Sequence, residues 1–344
     1  MDMAAFREQM PWAPVSRGPY QEGTVPPADQ LLDESHVKAS FYAPAAQSVT
    51  VFNGREDVPL HPGEDGVWTG TVEYRAPGFQ PFEFQVDGVP VLNPMAPIGF
   101  GGGKPLNYVE VPDPAQDFLE LRDVPHGAVT REFYFSSVSG RWESCLVYVP
   151  ADYQEDWEKR YPVLYLQHGG GENENCWVYQ GKVNFIADNL LAEEKMEPCI
   201  IVMNNGQGIV EAEGKQKIVY EQFEDVLLRD CVPFVEKKYR TYGDAEHRAY
   251  AGLSMGSLQG GQIVMHHPEA FCAAGLFTGF LHPQKPPEEL EYLSALDDAE
   301  RFNRHIRVFL RCMGTREPSL PLFEQETRLC REKGIQFEEY HPCL

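Results

Sequence analysis

The sequence predicts a small all-β module followed by a larger α/β domain built on a mostly parallel sheet. Three observations carry the prediction. Before residue 125, short alternating apolar runs are separated by turn residues; after it, nearly continuous apolar strands alternate with amphipathic helices. Two glycine-rich motifs then fall directly behind two of those strands, where an open α/β sheet binds its ligands. A length of 344 residues accommodates both parts at roughly 150 residues per domain.

The all-β module is built from Val37–Ala43, Ser48–Asn53, Gly66–Tyr74 and Pro81–Gly88, each an alternating run. Asp87-Gly88 supplies the positive φ that a tight hairpin turn demands. The residues before it, with Pro11, Pro14, Pro26 and Pro27, read as an irregular lead-in. Gly99–Pro105 reads as a loop: a phosphate-binding loop needs glycine at position 98 and serine or threonine at 105, where Ile98 and Pro105 stand.

A linker with Asp113, Pro114 and Pro125 leads into the α/β domain. Tyr161–Gln167 is a nearly continuous apolar run, as expected of a strand buried on both faces. Val183–Lys195 reads as a helix and Cys199–Met203 as the next strand. A helix around Tyr220–Tyr239 carries Phe223, Val226, Leu227, Cys231, Phe234 and Val235 at helical spacing, with Pro233 as a kink. Strand Arg248–Leu253, helix Gly256–His267, strand Ala273–Phe277, an acidic helical region Glu288–Arg304, strand Ile306–Met313, helix Leu320–Lys333 and strand Gln336–Tyr340 complete the pattern.

Acidic residues number 52 against 29 basic, a net charge of −23. That excess argues against nucleic acid and against anionic membrane surfaces as partners. Met1–Val15 has no basic segment followed by an apolar block, and no run approaches 18 apolar residues, so a cytoplasmic protein is expected. The 8 cysteines, Cys145, Cys176, Cys199, Cys231, Cys272, Cys312, Cys330 and Cys343, include no CxxC pair and no histidine at finger spacing. They read as reduced core thiols, and no metal site is expected.

The chemistry concentrates at two strand ends. Gly252-Leu253-Ser254-Met255-Gly256 is a GxSxG between a strand and a helix, the setting of a nucleophile elbow, with Ser254 at a sharp turn. The motif alone is weak, and its placement gives it weight. His168-Gly169-Gly170-Gly171 follows the strand Tyr161–Gln167, where backbone amides can stabilise an oxyanion. Gly170 and Met255 are the candidate donors. His168 reads as a loop-bracing histidine rather than a general base.

The strings YPVLYLQHGGGENENCW, QGKVNFIADNLLAEEK, IIVMNNG and YAGLSMGSLQGG resemble the putative-esterase family of α/β-hydrolases, which holds the feruloyl and acetyl xylan esterases of carbohydrate esterase family 1. The resemblance is specific over Tyr161–Gly261 and modest before it. It implies an α/β-hydrolase fold behind an immunoglobulin-like sandwich similar to carbohydrate-binding modules. The expected division is lead-in 1–30, sandwich 31–112, linker 113–127 and hydrolase 128–344. It further implies ester hydrolysis on serine without metal or organic cofactor, acting on a small-molecule or oligosaccharide ester, with a homodimer as an option.

In this order of triad residues an acid and a histidine follow the serine. The family's Gly-Thr-x-Asp loop corresponds to Gly314-Thr315-Arg316-Glu317, making Glu317 the acid candidate; Asp225 and Asp230 precede the serine and read as surface charges. The family histidine lies in a Pro-Gly-x-x-His-Glu-Trp-like segment past the last strand, whereas here the sequence reaches His341-Pro342-Cys343-Leu344. His341 is the candidate by order, several residues short of the family position, and a C-terminal truncation of the hydrolase domain is the expectation that competes with it. His266 and His267 lie too far along the elbow helix, and chain order disfavours His282.

Trp177, Tyr179, Gln180, Asn204, Asn205 and Phe280 fall in or near loops after strands, and of these Trp177, Gln180, Asn205 and Phe280 are the substrate-binding candidates. Two readings compete with the feruloyl or acetyl esterase: a siderophore trilactone esterase of the same two-domain plan, and a non-catalytic glycan-binding relict. Trp68 sits in a strand pattern suited to core, so the sandwich is expected to dock on the hydrolase rather than bind glycan.

Overall fold

The computed structural model describes residues 29–33, 35–74, 77–113, 116–212, 215–218, 222–281 and 291–342. They divide into two compact units. One contains the described residues up to Val124 together with Tyr179–Asn189; the other contains Pro125–Val178 and the residues from Leu190 on. The boundary falls inside the expected linker, but the inclusion of Tyr179–Asn189 in the first unit departs from the expected division, because a contact between distant stretches leaves no local signal. Most of the lead-in, Pro114, His282 and Cys343 lie outside the described residues.

The first unit is a sandwich of two antiparallel sheets. One orders Gln30–Leu31, His36–Tyr42, Val67–Glu73 and His61–Pro62; the other orders Asp57–Pro59, Val49–Phe52, Gly78–Val86, Lys104–Val111 and Ile98–Gly101, with Val89–Val91 beside Gly78–Val86. Inward residues of both sheets, among them Val37, Val51, Trp68, Val72, Phe84 and Val111, form its core. Trp68 is 8% exposed and its indole donates to the Ala43 carbonyl at 2.9 Å, which bears out its core assignment. Asp87 and Gly88 both have positive φ and join Val86 to Val89 in a two-residue hairpin, as their sequence required. Gly99–Pro105 is not a plain loop. Gly102 and Gly103, both at positive φ, turn a second hairpin that pairs Gly101 with Lys104.

Within this unit the Gln180 amide clamps the Phe100 backbone, accepting from its N–H at 2.7 Å and donating to its carbonyl at 3.1 Å. Lys182 pairs with Glu110 at 2.8 Å, and the Asn189 amide donates to the Phe118 and Glu120 carbonyls, both at 2.8 Å.

The second unit holds an eight-stranded sheet whose strands are, in chain order, β1 (Ala128–Ser136), β2 (Arg141–Val149), β3 (Val163–Gln167), β4 (Ile200–Asn204), β5 (Arg248–Leu253), β6 (Ala273–Phe277), β7 (Val308–Cys312) and β8 (Glu338–Tyr340). Their order across the sheet is 1-2-4-3-5-6-7-8, antiparallel at β1, β2 and β4 and parallel from β4 to β8. The chain runs from β3 outward to β4 and then returns to β5 on the other side of β3. That reversal puts the topological switch point, where open α/β sheets bind their ligands, at the carboxyl ends of β3 and β5.

The hairpin β1–β2 was not legible in the sequence because its polarity is inverted. Glu132, Tyr134 and Ser136 face inward while Phe133, Phe135 and Trp142 are exposed. The inward polar groups are satisfied: Tyr239 donates to Glu132 at 2.6 Å, Lys238 also pairs with Glu132, and Ser136 donates to Asp230 at 2.7 Å. A second missed hairpin joins Ile209–Ala212 to Lys215–Ile218.

The helical pattern around Pro233 begins at Gln222 among the described residues and is interrupted by a π-helical stretch, Val226–Cys231. There the Val232 N–H reaches back five residues to Leu227, just before a proline that has no N–H to donate. The core buries Tyr165, Ile200, Val202, Leu227, Tyr250, Ile263, Leu276 and Phe309 at the sheet and its helices.

Candidate active site

Register fixes the site's frame. Gln167 lies beside Gly252, Leu253 beside Phe277, and Phe277 beside Cys312, so β3, β5, β6 and β7 end in a row. The residues immediately past those ends are His168, Ser254, Thr278 and Met313.

Ser254 has φ 51° and ψ −108° and is exposed between β5 and the helix Met255–His266. This conformation is costly for a residue with a Cβ, by about 1–3 kcal/mol, and the neighbourhood enforces it. The Ser254 N–H donates to the Phe277 carbonyl at 2.8 Å, its own carbonyl accepts from Leu258 at 3.0 Å, and the Tyr250 hydroxyl donates to the Gly256 carbonyl at 2.7 Å. Both flanking glycines are steric necessities. A Cβ at Gly252 would lie 2.3 Å from the Gly256 oxygen, and one at Gly256 would lie 2.7 Å from the Gln167 oxygen and 2.8 Å from that of His168. Thr278 repeats the strain one strand over, with φ 45° and its N–H on the Cys312 carbonyl at 2.8 Å.

The glycine loop approaches the serine closely: a Cβ on Gly169 would sit 3.6 Å from that of Ser254, and one on Gly170 would sit 3.9 Å from that of Met255. His168 is 1% exposed. Its Nε2 accepts the Gly206 N–H at 3.2 Å, so Nδ1 carries the proton and donates to the Gly169 carbonyl at 2.8 Å. Burial holds this ring below the ordinary histidine pKa, and the neutral form fits its bonds. His168 is a brace, as expected. Met255, first residue of its helix, and Gly170 each present an N–H that no acceptor among the described residues takes.

The other half of the expected constellation is not joined to this one. Glu317 stands exposed in the turn after β7, its N–H on the Gly314 carbonyl at 3.2 Å. His341 follows β8, with Nδ1 at 3.0 Å from the Met313 carbonyl, Nε2 at 2.7 Å from Glu339 and its ring edge-on to Phe323. Both nitrogens face acceptors, so the ring binds best as an imidazolium, and the Glu339 hydrogen bond raises its pKa above the ordinary value. Among the described residues no hydrogen bond links Ser254, Glu317 and His341.

The substrate-binding candidates fall in both units. Gln180 is engaged with Phe100 in the sandwich unit, which occupies both ends of its amide. Asn205 accepts the Gln207 N–H at 3.1 Å, and its own N–H donates to Ser144 at 3.3 Å. Trp177 is half-buried with its indole N–H buried and unpartnered, and Phe280 is half-buried after β6. Sequence reasoning missed Thr278, whose strain has no residue-level signature, and Glu172, whose carboxylate accepts the Gly169 N–H at 2.8 Å. His266 and His267 pair instead with Glu224.

A strained serine between β5 and its helix, a glycine loop after β3 and this strand order define the α/β-hydrolase class. Residues 136–339 match the family model described as "Putative esterase", and the chain belongs to that family. An endo-1,4-β-xylanase/feruloyl esterase of Xylanibacter ruminicola is 36% identical over 76% of this chain, which spans 38% of that protein's length. A solved ferulic acid esterase superposes with a TM-score of 0.55 at 26% identity, covering 63% of this chain and 89% of its own. The enterobactin esterase of Shigella flexneri superposes over 90% of this chain and 89% of its own with a TM-score of 0.63 at 15% identity, a likeness of fold. Among the described residues no helix is long and apolar enough to cross a membrane.

Proposed function

We propose that this protein is a serine-dependent carboxylic ester hydrolase that cleaves feruloyl or related hydroxycinnamoyl esters, or acetyl esters, on oligosaccharides derived from plant polysaccharide. The observation that carries the reading is the strained, exposed Ser254 with two unclaimed amide donors, Gly170 and Met255, beside it. The substrate class rests on the xylanase/feruloyl esterase relative, whose sequence likeness extends over three quarters of this chain. Likeness to the enterobactin esterase lies in fold and does not favour a siderophore substrate.

In the proposed reaction Ser254 Oγ attacks the ester carbonyl and passes its proton to a histidine. The oxyanion is held by the amides of Gly170 and Met255, each such donor being worth ~3 kcal/mol in the transition state. The histidine protonates the departing sugar oxygen, and water then releases the acid from Ser254 by the same steps reversed. We assign the proton carrier to His341 and its orienting acid to Glu317. This assignment requires the ring to exchange both present partners, Glu339 for the serine and the Met313 carbonyl for Glu317. Acyl transfer of this kind calls for no metal or organic cofactor.

The seven described cysteines are free, which supports a reducing, cytoplasmic setting. Phe133, Phe135 and Trp142, exposed on β1–β2, are the surface best suited to a homodimer, and sedimentation velocity tests that state. The burial of Trp68 supports a structural rather than sugar-stacking role for the sandwich.

The function is tested by assaying methyl ferulate, an acetylated xylo-oligosaccharide and enterobactin in parallel. The expected result is a kcat/KM highest on one of the first two and abolished in Ser254→Ala. Preference for enterobactin, or an unaffected Ser254→Ala, overturns it.

A further inference from the structure

The stretch Glu172-Asn173-Glu174-Asn175 follows the glycine loop and has no role in the chemistry described above. Its contacts converge on Gly169 and the two peptide groups that meet there. The Gly169 N–H donates to Glu172 Oε2 at 2.8 Å. The Gly169 carbonyl accepts from His168 Nδ1 at 2.8 Å and from the Glu172 N–H at 3.3 Å. Glu172 is itself tied down, its carbonyl accepting from Gln207 Nε2 at 2.6 Å. Two residues on, the buried Glu174 accepts from Arg131 and Ser144, both at 2.7 Å, which anchors the turn to β1 and β2.

A trans peptide points its carbonyl and the following N–H in opposite directions. With the Gly169 carbonyl held inward by His168 and by the Glu172 backbone, the Gly170 N–H is directed to the open side, where Gly170 is exposed beside Met255. The Glu172 carboxylate takes the Gly169 N–H, which belongs to the preceding His168–Gly169 peptide, so it fixes that plane, withdraws its amide from oxyanion binding and leaves Gly170 as the loop's donor. Without a carboxylate at 172 the His168–Gly169 peptide loses its acceptor, and across Gly169, whose dihedrals carry little steric barrier, the direction of the Gly170 N–H then rests on the His168 ring and the Glu172 N–H alone.

We propose that Glu172 is a positioning residue that, with His168, sets the two peptide planes on either side of Gly169 in the oxyanion loop and selects the Gly170 amide as its donor. The proposal rests on the reading of Ser254 as nucleophile and deepens it.

The test compares Glu172→Ala, Glu172→Gln and Glu172→Asp with the parent and with Ser254→Ala. It uses methyl ferulate kinetics, inhibition by phenylboronic acid, which forms a tetrahedral adduct on an active serine, and the melting temperature of each protein. Glu172→Ala is expected to lower kcat by about 10²- to 10³-fold with KM nearly unchanged, and to weaken the boronate in parallel, as loss of an oxyanion donor does. Glu172→Gln keeps an acceptor oxygen at the same reach and is expected to stay within about tenfold of the parent. Glu172→Asp keeps the charge but withdraws the oxygen by one methylene, and is expected to behave as Glu172→Ala; it carries the test if the alanine variant does not fold. A folded Glu172→Ala or Glu172→Asp with parental kcat overturns the proposal, as does a rise in KM alone or an equal loss in Glu172→Gln. Ser254→Ala separates the two levels. An active Ser254→Ala sinks the underlying function, whereas an inactive one beside a fully active Glu172→Ala sinks only the positioning role.

Discussion

The carboxyl ends of β3 and β5 and those of β7 and β8 are built by different means. At the first pair the reacting groups are held by backbone. Ser254 is fixed by Phe277 and Leu258, the glycine loop is braced by His168, and two glycines are required by contacts under 3 Å. At the second pair the candidate groups are side chains on an exposed turn and a strand end. Glu317 stands in solvent and His341 answers to Glu339 and Met313. A site assembled from backbone amides is preorganised by the fold itself, whereas one assembled from long side chains depends on which neighbours claim them.

The broadest break in that comparison, in activity and stability together, is expected at Gly256. Gly256→Ala inserts a methyl group against the carbonyls of Gln167 and His168 and forces the elbow from the glycine loop. Esterase activity is expected to fall by more than about 10²-fold, with a lowered melting temperature. Retained activity and stability mean that the first region is less constrained than its contacts imply.

Confined to kcat is the break expected of His341→Ala, set beside His282→Ala. If His341 is the proton carrier its removal lowers kcat by several powers of ten, on the order of 10³-fold or more, while His282→Ala leaves kcat near the parent's. The reverse pattern reassigns the base to His282.

These regions also differ in how far the sequence exposed them. GxSxG was legible because a close backbone approach admits only glycine at Gly252 and Gly256, which prints steric need directly onto the residue string, and HGGG by its place directly behind an apolar strand. The main-sheet strands from β3 to β8 were legible in the sequence, unlike the hairpin of Ile209–Ala212 and Lys215–Ile218, and Asp87-Gly88 was legible by its turn chemistry. The hairpin β1–β2 was not, because Phe133 and Phe135 face out while Glu132 and Ser136 face in. Glu172 was passed over because its partner is a backbone N–H, and no residue string encodes which amide a carboxylate will meet. The contact between Glu339 and His341 likewise depends on how β8 presents alternate side chains, and Glu317 by its sequence alone could not reveal that His341 would face elsewhere.

A smaller effect sharpens the second region. The Glu339 hydrogen bond raises the His341 pKa, so the charged ring adds stability that is full below its unfolded value near 6.5 and is lost as pH rises through the folded one. Glu339→Gln is expected to lower the His341 pKa in an NMR titration and to remove this stability. An unchanged titration would mean that Glu339 does not hold the ring.

Smallest is a pH effect in the sandwich unit. Burial pushes the Asp29 carboxyl up to about 7, opposed by the hydrogen bond from the Ser40 N–H. Because the unfolded chain ionises this group first, near 3.8, stability is expected to fall as pH rises from there to about 7 and to level off above. Asp29→Asn should raise the melting temperature at pH 8 and leave it nearly unchanged at pH 4; equal shifts at both pH values contradict the assignment.

The central claim, that the strained Ser254 carries the acyl group of a hydroxycinnamoyl ester, is tested most directly by acid-quenching the protein during turnover of methyl ferulate and mapping the adduct by peptide mass spectrometry. The expected result is one feruloyl group on the peptide containing Ser254, absent from Ser254→Ala. Turnover with the adduct on another residue, or with an adduct in Ser254→Ala, contradicts the account.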